Sequence, residues 1–480
     1  MRPVRAKALK YLLNVMKRLY KNLIMTCLAF LVGMLTSCSG SDYLNAIPKK
    51  STALISVDMQ QMASDIHAED KAGMLKSLLH VEDVDKCGID IAEKMYLFET
   101  ADGNLGLCAK VSSEGDVEDW LASLAKQHIA SDVKERKGFH FAVLKNSWLV
   151  GFSDQALLVM GPVVADAQAQ LQQQMVRYLK ADEQEGITAS PLFERLQTIT
   201  SPMAMVAQAQ ALPEKFIAPF TLGAPKDTDP SQVVIAAEMN VKDGILQIHG
   251  ETFSFNKTID AALQKANANY RPIKGAYVKS MPDDALAGIF MNVKGEQFLP
   301  MMQSNSGLQT LLMGINQAVD MDNIIRSVDG DMAFVMPTLG DADLKMMMAA
   351  KLAHSKWLGD VDYWKKSCPP GASIANWDKN AYFYTDGKMS FYFGVTDDNQ
   401  FYSGSDELTA QYAVKPSNHP IDAKIQKLIV GQKLAMVINL AKSTGGNGSG
   451  KDDAISTVTG LLSPVFGNLT SVVYTLKVKG

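Results

Sequence analysis

Short runs of alternating apolar and polar residues recur along the chain and predict β-strands. Residues 53–59 form one such run, and residues 95–98 and 107–111 form a hairpin around the turn residues 102–104. Single helical segments, such as 115–120, stand between the strands. Short turns of Gly, Asp and Asn join many neighbouring strands, which makes those strands antiparallel. The pattern predicts an α+β fold with a mainly antiparallel sheet and helices packed on one face.

The same order of predicted segments occurs twice along the chain. Residues 53–59 have a counterpart at 287–293, and residues 204–206 have one at 435–437. Such ordered self-similarity predicts two tandem repeated domains. A Ser-Asp pair at 153–154 matches another at 405–406, and each pair is expected to cap a following helix.

The repeat sets the expected domain boundaries. The first repeat covers residues 48–266 and the second covers 280–480, with a linker at 267–279. The second repeat lacks the last strand and helix that close the first. Either the extra strand of the first repeat completes both sheets, or the chain ends early.

Residues 1–37 have the composition of an export signal. They contain seven basic residues and no acidic one, followed by an apolar stretch at 23–35. That stretch is too short to span about 30 Å of hydrocarbon and has the length of a signal-peptide core. Residues 16–22 by themselves form the basic segment with which a signal peptide begins, so translation from Met16 is an alternative to translation from Met1.

The export signal ends in Leu35, Thr36, Ser37 and Cys38. This quartet resembles the bacterial lipobox, in which two small residues precede the cysteine that receives diacylglycerol. We therefore predict lipid attachment at Cys38, a lipidated tether at 38–47, and anchoring in the cell envelope, at the outer membrane. A transmembrane anchor and a signal cleaved without lipidation are the alternatives.

Charge and cysteine usage narrow the function classes. The whole chain has 47 basic and 51 acidic side chains, and removing residues 1–37 leaves 40 and 51, a net charge of -11. An acidic body argues against nucleic acid as a partner. Cys87 and Cys108 flank the predicted hairpin and are candidates for a disulfide, with buried free thiols as the alternative.

Motifs for cofactors and metals are incomplete. Residues 445–452 resemble a phosphate-binding loop, but Asp452 replaces the hydroxyl that would bind magnesium, so we expect no nucleotide. The seven histidines form no metal-binding spacing and no Cys-x-x-Cys occurs, so we expect no metal and no cofactor.

Aromatic residues crowd residues 382–402. Consecutive strand residues point to opposite faces, so one row is expected to look away from the core. We take the candidate exposed face to be Tyr382, Tyr384, Tyr392 and Tyr402, which would stack on sugar rings or accept a protein. The alternative is that these residues only fill and flank a sheet.

Four features of the chain can be compared with known families: the lipobox, the short tether, the prolines Pro48 and Pro282 before matching predicted strands, and the tryptophan-bearing helices. In these features the chain resembles the Bacteroidales lipoproteins that carry domain of unknown function 4836. The resemblance implies a membrane-anchored cell-envelope lipoprotein and supplies no catalytic residues. A non-catalytic protein that binds an envelope protein or glycan is the leading hypothesis. A structural or assembly lipoprotein and an enzyme acting on envelope polymers are the alternatives.

Overall fold

The computed structural model describes residues 40–64, 76, 83–145, 147–212, 217–305, 309, 316, 318–337, 345–440 and 469–477. These residues form an α+β structure with one large sheet of 19 strands and with 11 α-helices. The strands are β1 Ala53–Val57, β2 Met95–Glu99, β3 Leu105–Lys110, β4 Lys134–Arg136, β5 Phe139–Leu144, β6 Trp148–Phe152, β7 Ala156–Gly161, β8 Met203–Gln208, β9 Val234–Lys242, β10 Ile245–Phe253, β11 Ala287–Lys294, β12 Val328–Met336, β13 Met347–Leu352, β14 Ser373–Asp378, β15 Ala381–Thr385, β16 Ser390–Val395, β17 Gln400–Gly404, β18 Leu434–Asn439 and β19 Ser471–Leu476. The helices are α1 Met59–Ser64, α2 Glu114–Lys126, α3 Gln168–Leu179, α4 Pro191–Gln197, α5 Ile217–Thr221, α6 Lys257–Asn267, α7 Gly295–Ser304, α8 Met321–Arg326, α9 Val361–Ser367, α10 Glu407–Tyr412 and α11 Ala423–Ile429.

Strand pairing is antiparallel throughout the described sheet except at one junction. The order is β4-β5-β6-β7-β3-β2-β1-β8-β9-β10-β19-β18-β11-β12-β13-β17-β16-β15-β14. Strands β11 to β19 pair with one another in the same order as strands β1 to β9 do. β10 pairs with β9 on one side and, in parallel, with β19 on the other.

Helices pack on both faces of the sheet, so the expectation of helices on one face is wrong. Val117 and Leu121 of α2 share a buried cluster with Val150 and Leu157. The next residue along, Leu158, points to the other face, in a cluster that holds residues of α3 and α4. Because successive strand residues alternate between faces, continuous apolar runs such as β7 need cover on both sides.

The helix-capping prediction holds in only one of its two places. Asp406 accepts a hydrogen bond from the Thr409 amide at the start of α10. At residues 153–154 the chain instead turns directly into β7, and the Ser153 hydroxyl accepts from the Ala156 amide. A Ser-Asp pair serves a β-turn as well as a helix start, since both leave amides to be satisfied.

The connector between the two halves of the sheet is packed into the fold. The Asp331 carboxylate is buried and accepts hydrogen bonds at 2.9 Å from the amides of Lys274 and Ala276. The Asn292 side chain donates to the same carboxylate at 2.9 Å. These bonds hold residues 267–279 against β11 and β12.

The beginning of the described chain is also folded onto the body. Residues 42–46 form a 3₁₀ helix, and Tyr43, Leu44 and Ile47 are buried. Residues 42–47, which belong to the predicted tether 38–47, pack against β3 and β7, where their apolar side chains leave water. Within the described ranges, no helix is long and apolar enough to cross a membrane.

Candidate binding surface

Four aromatic rings lie on one face of the strands β14 to β17. Phe383 stands opposite Tyr392 in the β15–β16 register, and Tyr402 stands opposite Gly394 in the β16–β17 register. Trp377 joins them from a β-bulge in β14. We call the set Trp377, Phe383, Tyr392 and Tyr402 the aromatic platform. All four side chains are half-buried, so part of each ring meets solvent.

The rings of the platform are in mutual contact. The Trp377 and Tyr392 ring centroids are 5.8 Å apart, and those of Phe383 and Tyr392 are 4.5 Å apart. Tyr402 lies 6.4 Å from Trp377, edge to face. The indole Nε1–H of Trp377 donates to the Tyr382 carbonyl at 2.9 Å, which fixes the indole orientation. Rings held by neighbours lose little side-chain entropy when a ligand binds.

A glycine makes room for one of these rings. A Cβ on Gly394 would lie 2.5 Å from the Tyr402 hydroxyl and 3.0 Å from the Asn380 carbonyl. Tyr402 therefore lies directly over the backbone of β16. Burial raises the pKa of Tyr402, and the nearby Asp378 carboxylate raises it further. The platform thus has a polar edge beside its apolar rings.

The platform is open because of a difference between the two halves of the sheet. In the first half α3 covers β5 and β6, and a Cβ on Gly151 would meet Phe141 and Met175. In the second half the helix after β17 is α10, which has six residues and packs at Gly404. α3 packs mainly on β6, whereas α10 packs mainly on β17 and only marginally on β16, so the platform rings keep part of their surface exposed.

Two of the four tyrosines predicted to be exposed lie in the core instead. Tyr382 is 9% exposed and Tyr384 is 2% exposed. Tyr382 pairs with Phe393 across the strands and so points to the same face as that fully buried ring. Tyr392 and Tyr402 belong to the platform, and the prediction is wrong for Tyr382 and Tyr384.

Phe383 and Trp377 take the places of the two misassigned residues. Alternation along the strand places Phe383 on the opposite face from Tyr382 and Tyr384. The sequence does not specify which of these two faces is exposed. The bulge at Trp377 cannot be read from the sequence pattern, because it shifts the alternation by one residue.

The candidate disulfide is absent. Cys87 and Cys108 are both free and buried. Cys108 packs among residues of the α3 face and Cys87 among those of the α2 face, so the sheet separates them. Burial raises the pKa of each thiol, which keeps both in the unreactive protonated form.

Several predicted features lie outside the described residues. These are the lipobox Leu35, Thr36, Ser37 and Cys38, and the glycine-rich segment 445–452. Within the described ranges, no group of three or more His, Cys, Asp or Glu residues has metal-binding geometry.

One carboxyl group outside the platform has a strongly shifted pKa. Burial raises the pKa of Glu99 from 4.5 to about 7. Its partners across the strands are Ala53 and Leu105, which bring no charge to offset the burial. Neither neighbour could act with Glu99 in acid–base chemistry.

Glu99 is expected to make the protein less stable as the pH rises from about 4.5 to 7. The folded state holds the Glu99 proton where the unfolded state has lost it, so unfolding becomes easier as this proton leaves. Glu99→Gln should remove this slope, worth about 1–2 kcal/mol after allowance for remaining solvent access. Urea unfolding at pH 5 and pH 8 measures it, with Glu135→Gln on the exposed strand β4 as control. Equal pH slopes in wild type and Glu99→Gln would contradict the assignment.

Comparison with solved structures gave three crystal forms of TP0453. Crystal form IV is 10% identical, with a TM-score of 0.26, and the match covers 42% of this chain and 76% of that one. Crystal form III is 8% identical, with a TM-score of 0.23, covering 77% and 96%. Crystal form I is 9% identical, with a TM-score of 0.20, covering 78% and 95%.

Comparison with curated proteins found no match. Comparison with family profiles matched residues 58–425 to "Domain of unknown function (DUF4836)". This match covers more than half of the 480 residues, and the chain therefore belongs to the DUF4836 family.

Proposed function

We propose that this protein is a lipoprotein of the bacterial cell envelope, as in the Bacteroidales lipoproteins it resembles, that binds an envelope protein or glycan without catalysing a reaction. The signal-like residues 1–37 and the lipobox ending at Cys38 support export and lipid anchoring, with the outer membrane as the destination. The aromatic platform is the observation that most directly supports binding.

The platform has the features of a recognition surface. Its rings present flat apolar faces, while Asp378 and the Lys379–Asp397 ion pair at 2.8 Å supply polar groups in the same region of the sheet. Tyr and Trp are enriched in binding sites because they provide large contact areas with few rotatable bonds. Such faces suit the apolar sides of sugar rings and the side chains of proteins.

An enzyme acting on envelope polymers is less well supported. A small cleft lies where β10 and β19 join the two halves, lined in part by Asp243, Asp283, Asp422 and Lys424. The three carboxylates are exposed, and Asp243 pairs with Lys424 at 3.2 Å. A catalytic carboxylate pair usually needs burial to separate its pKa values. A structural or assembly lipoprotein stays as the second candidate, since it would need only the anchor.

We also propose that the two halves are tandem repeats, 48–266 and 280–480, joined by 267–279. The repeated strand pairing supports this organisation. The parallel pairing of β10 with β19 supports the extra strand of the first repeat serving both halves.

Binding is tested by removing two rings of the platform. Immobilised wild type and the double variant Trp377→Ala, Tyr392→Ala are compared for retention of purified envelope glycans and of solubilised envelope proteins. Removing anchor rings at a binding hot spot costs about 2 kcal/mol or more, so retention should fall by roughly tenfold or more.

Tyr363→Ala is the matched control, because Tyr363 is 70% exposed on α9, outside the platform. Thermal unfolding of each variant checks that the fold is kept. Retention unchanged in the double variant would remove the platform from the proposal. Failure of wild type to retain any component would favour the structural lipoprotein.

A further inference from the structure

Almost no free chain separates the folded body from Cys38. Tyr43 and Leu44 of the 3₁₀ helix 42–46 are buried, and the Tyr43 hydroxyl donates to the Lys94 carbonyl at 2.8 Å. Ile47 is fully buried. The chain is therefore fixed to the body from about residue 42 onward.

Gly40, two residues before this point, is exposed and lies close to the same surface. A Cβ on Gly40 would lie 3.4 Å from both Glu93 Oε1 and Lys110 Nζ, so Gly40 already lies against the surface. Only two peptide units connect Gly40 to Cys38, which limits the separation of their Cα atoms to about 7 Å. A lipid on Cys38 must enter the bilayer from this point.

We infer that the protein lies on the membrane in one orientation, with one end of the β2–β3 hairpin against the lipid headgroups. This end, which we call the anchor end, consists of Gly40, Asp90, Glu93 and Lys110. The inference rests on the proposed lipid attachment at Cys38. A long tether would let the body tumble, whereas an attachment about 7 Å long holds the anchor end within a Debye length of the surface.

The charges of the anchor end indicate how it meets the bilayer. Lys110 pairs with Asp90 at 3.1 Å and with Glu93 at 3.3 Å, so two carboxylates surround one ammonium. This cluster has no positive excess to attract anionic lipids. The short attachment, not electrostatic attraction, therefore sets the orientation, and the orientation should persist at high salt.

Two exposed alanines at opposite ends of the same hairpin provide a matched pair of probes. Ala92 lies beside Glu93 at the anchor end, and Ala101 lies in the turn at the other end. The six residues of β3 separate them by about 17 Å along the strand. Ala92→Cys and Ala101→Cys are made in the full-length lipoprotein with Cys368→Ser and carry one fluorophore each. Vesicles of phosphatidylcholine with a headgroup-bound spin label act as quencher.

The label at residue 92 should be quenched several-fold more strongly than the label at residue 101, in low and high salt alike. A ten-residue Gly/Ser spacer between Gly40 and Ser41 should make the two signals similar while the protein stays on the vesicles. Equal quenching without the spacer, in protein that is lipidated and vesicle-bound, would overturn the orientation alone. Protein without lipid mass that stays off the vesicles would overturn the proposed anchoring, and the orientation with it.

Discussion

Replacing Cys38 by serine is expected to move the protein from the membrane fraction to the soluble fraction. The serine hydroxyl does not accept the lipid, so every acyl chain is lost. Each methylene buried in the bilayer contributes about 0.8 kcal/mol, so losing the acyl chains removes the free energy that the lipid gives to membrane attachment. Fractionation of cells and the mass of the mature N-terminus measure the change.

Cys368→Ser is the matched control for this experiment. Cys368 is a free thiol at the C-terminal end of α9, so its removal should leave membrane attachment unchanged. A Cys38→Ser protein that has lost residues 1–37 and still stays with the membranes would contradict lipid attachment at Cys38.

The second large effect is expected in the core of the second half. Trp357 is 1% exposed and stacks on Trp364 with centroids 6.0 Å apart. It also contacts Phe393 at 6.3 Å and Phe401 at 6.2 Å between centroids. Trp357→Ala leaves a cavity among these rings and should lower the free energy of unfolding by about 3–5 kcal/mol. Urea unfolding followed by fluorescence and circular dichroism measures the loss.

Trp357→Phe tests whether packing of the ring accounts for the loss of stability. The Trp357 indole Nε1 has no hydrogen-bond partner among the described residues, so phenylalanine should keep more of the stability than alanine does. Tyr363→Ala on α9 serves as a surface control and should change stability by less than about 0.5 kcal/mol. A Trp357→Ala effect as small as this control would contradict the central role of the ring cluster.

The strands of the sheet were largely predictable because their signal is local. The alternation at residues 53–57 and 95–98 and the turn at 102–104 suffice to propose β1, β2 and the hairpin that follows. The covering of the second face was not predictable in the same way. An apolar run such as β7 is compatible with one covered face or two until the helices α2 and α3 are placed.

The candidate binding surface was also predictable only in part. The crowding of aromatic residues at 382–402 identified the region, but the choice of the exposed row depended on cross-strand register. Tyr382 is buried because it stands opposite Phe393, and Trp377 joins the platform through a bulge. Both facts relate residues on different strands, which a single strand pattern does not specify.

The sequence by itself determined the α+β class, most of the sheet strands, and the contrast between the basic residues 1–37 and the acidic remainder of the chain. These follow from local composition, period and charge. Only the tertiary structure decided that helices cover both faces, that β10 joins the halves through β19, and that residues 42–47 pack onto the body. It also decided which rings stay exposed, because α3 packs mainly on β6 while the shorter α10 packs mainly on β17. Each of these depends on contacts between distant segments, whose energies come from packing rather than from local pattern.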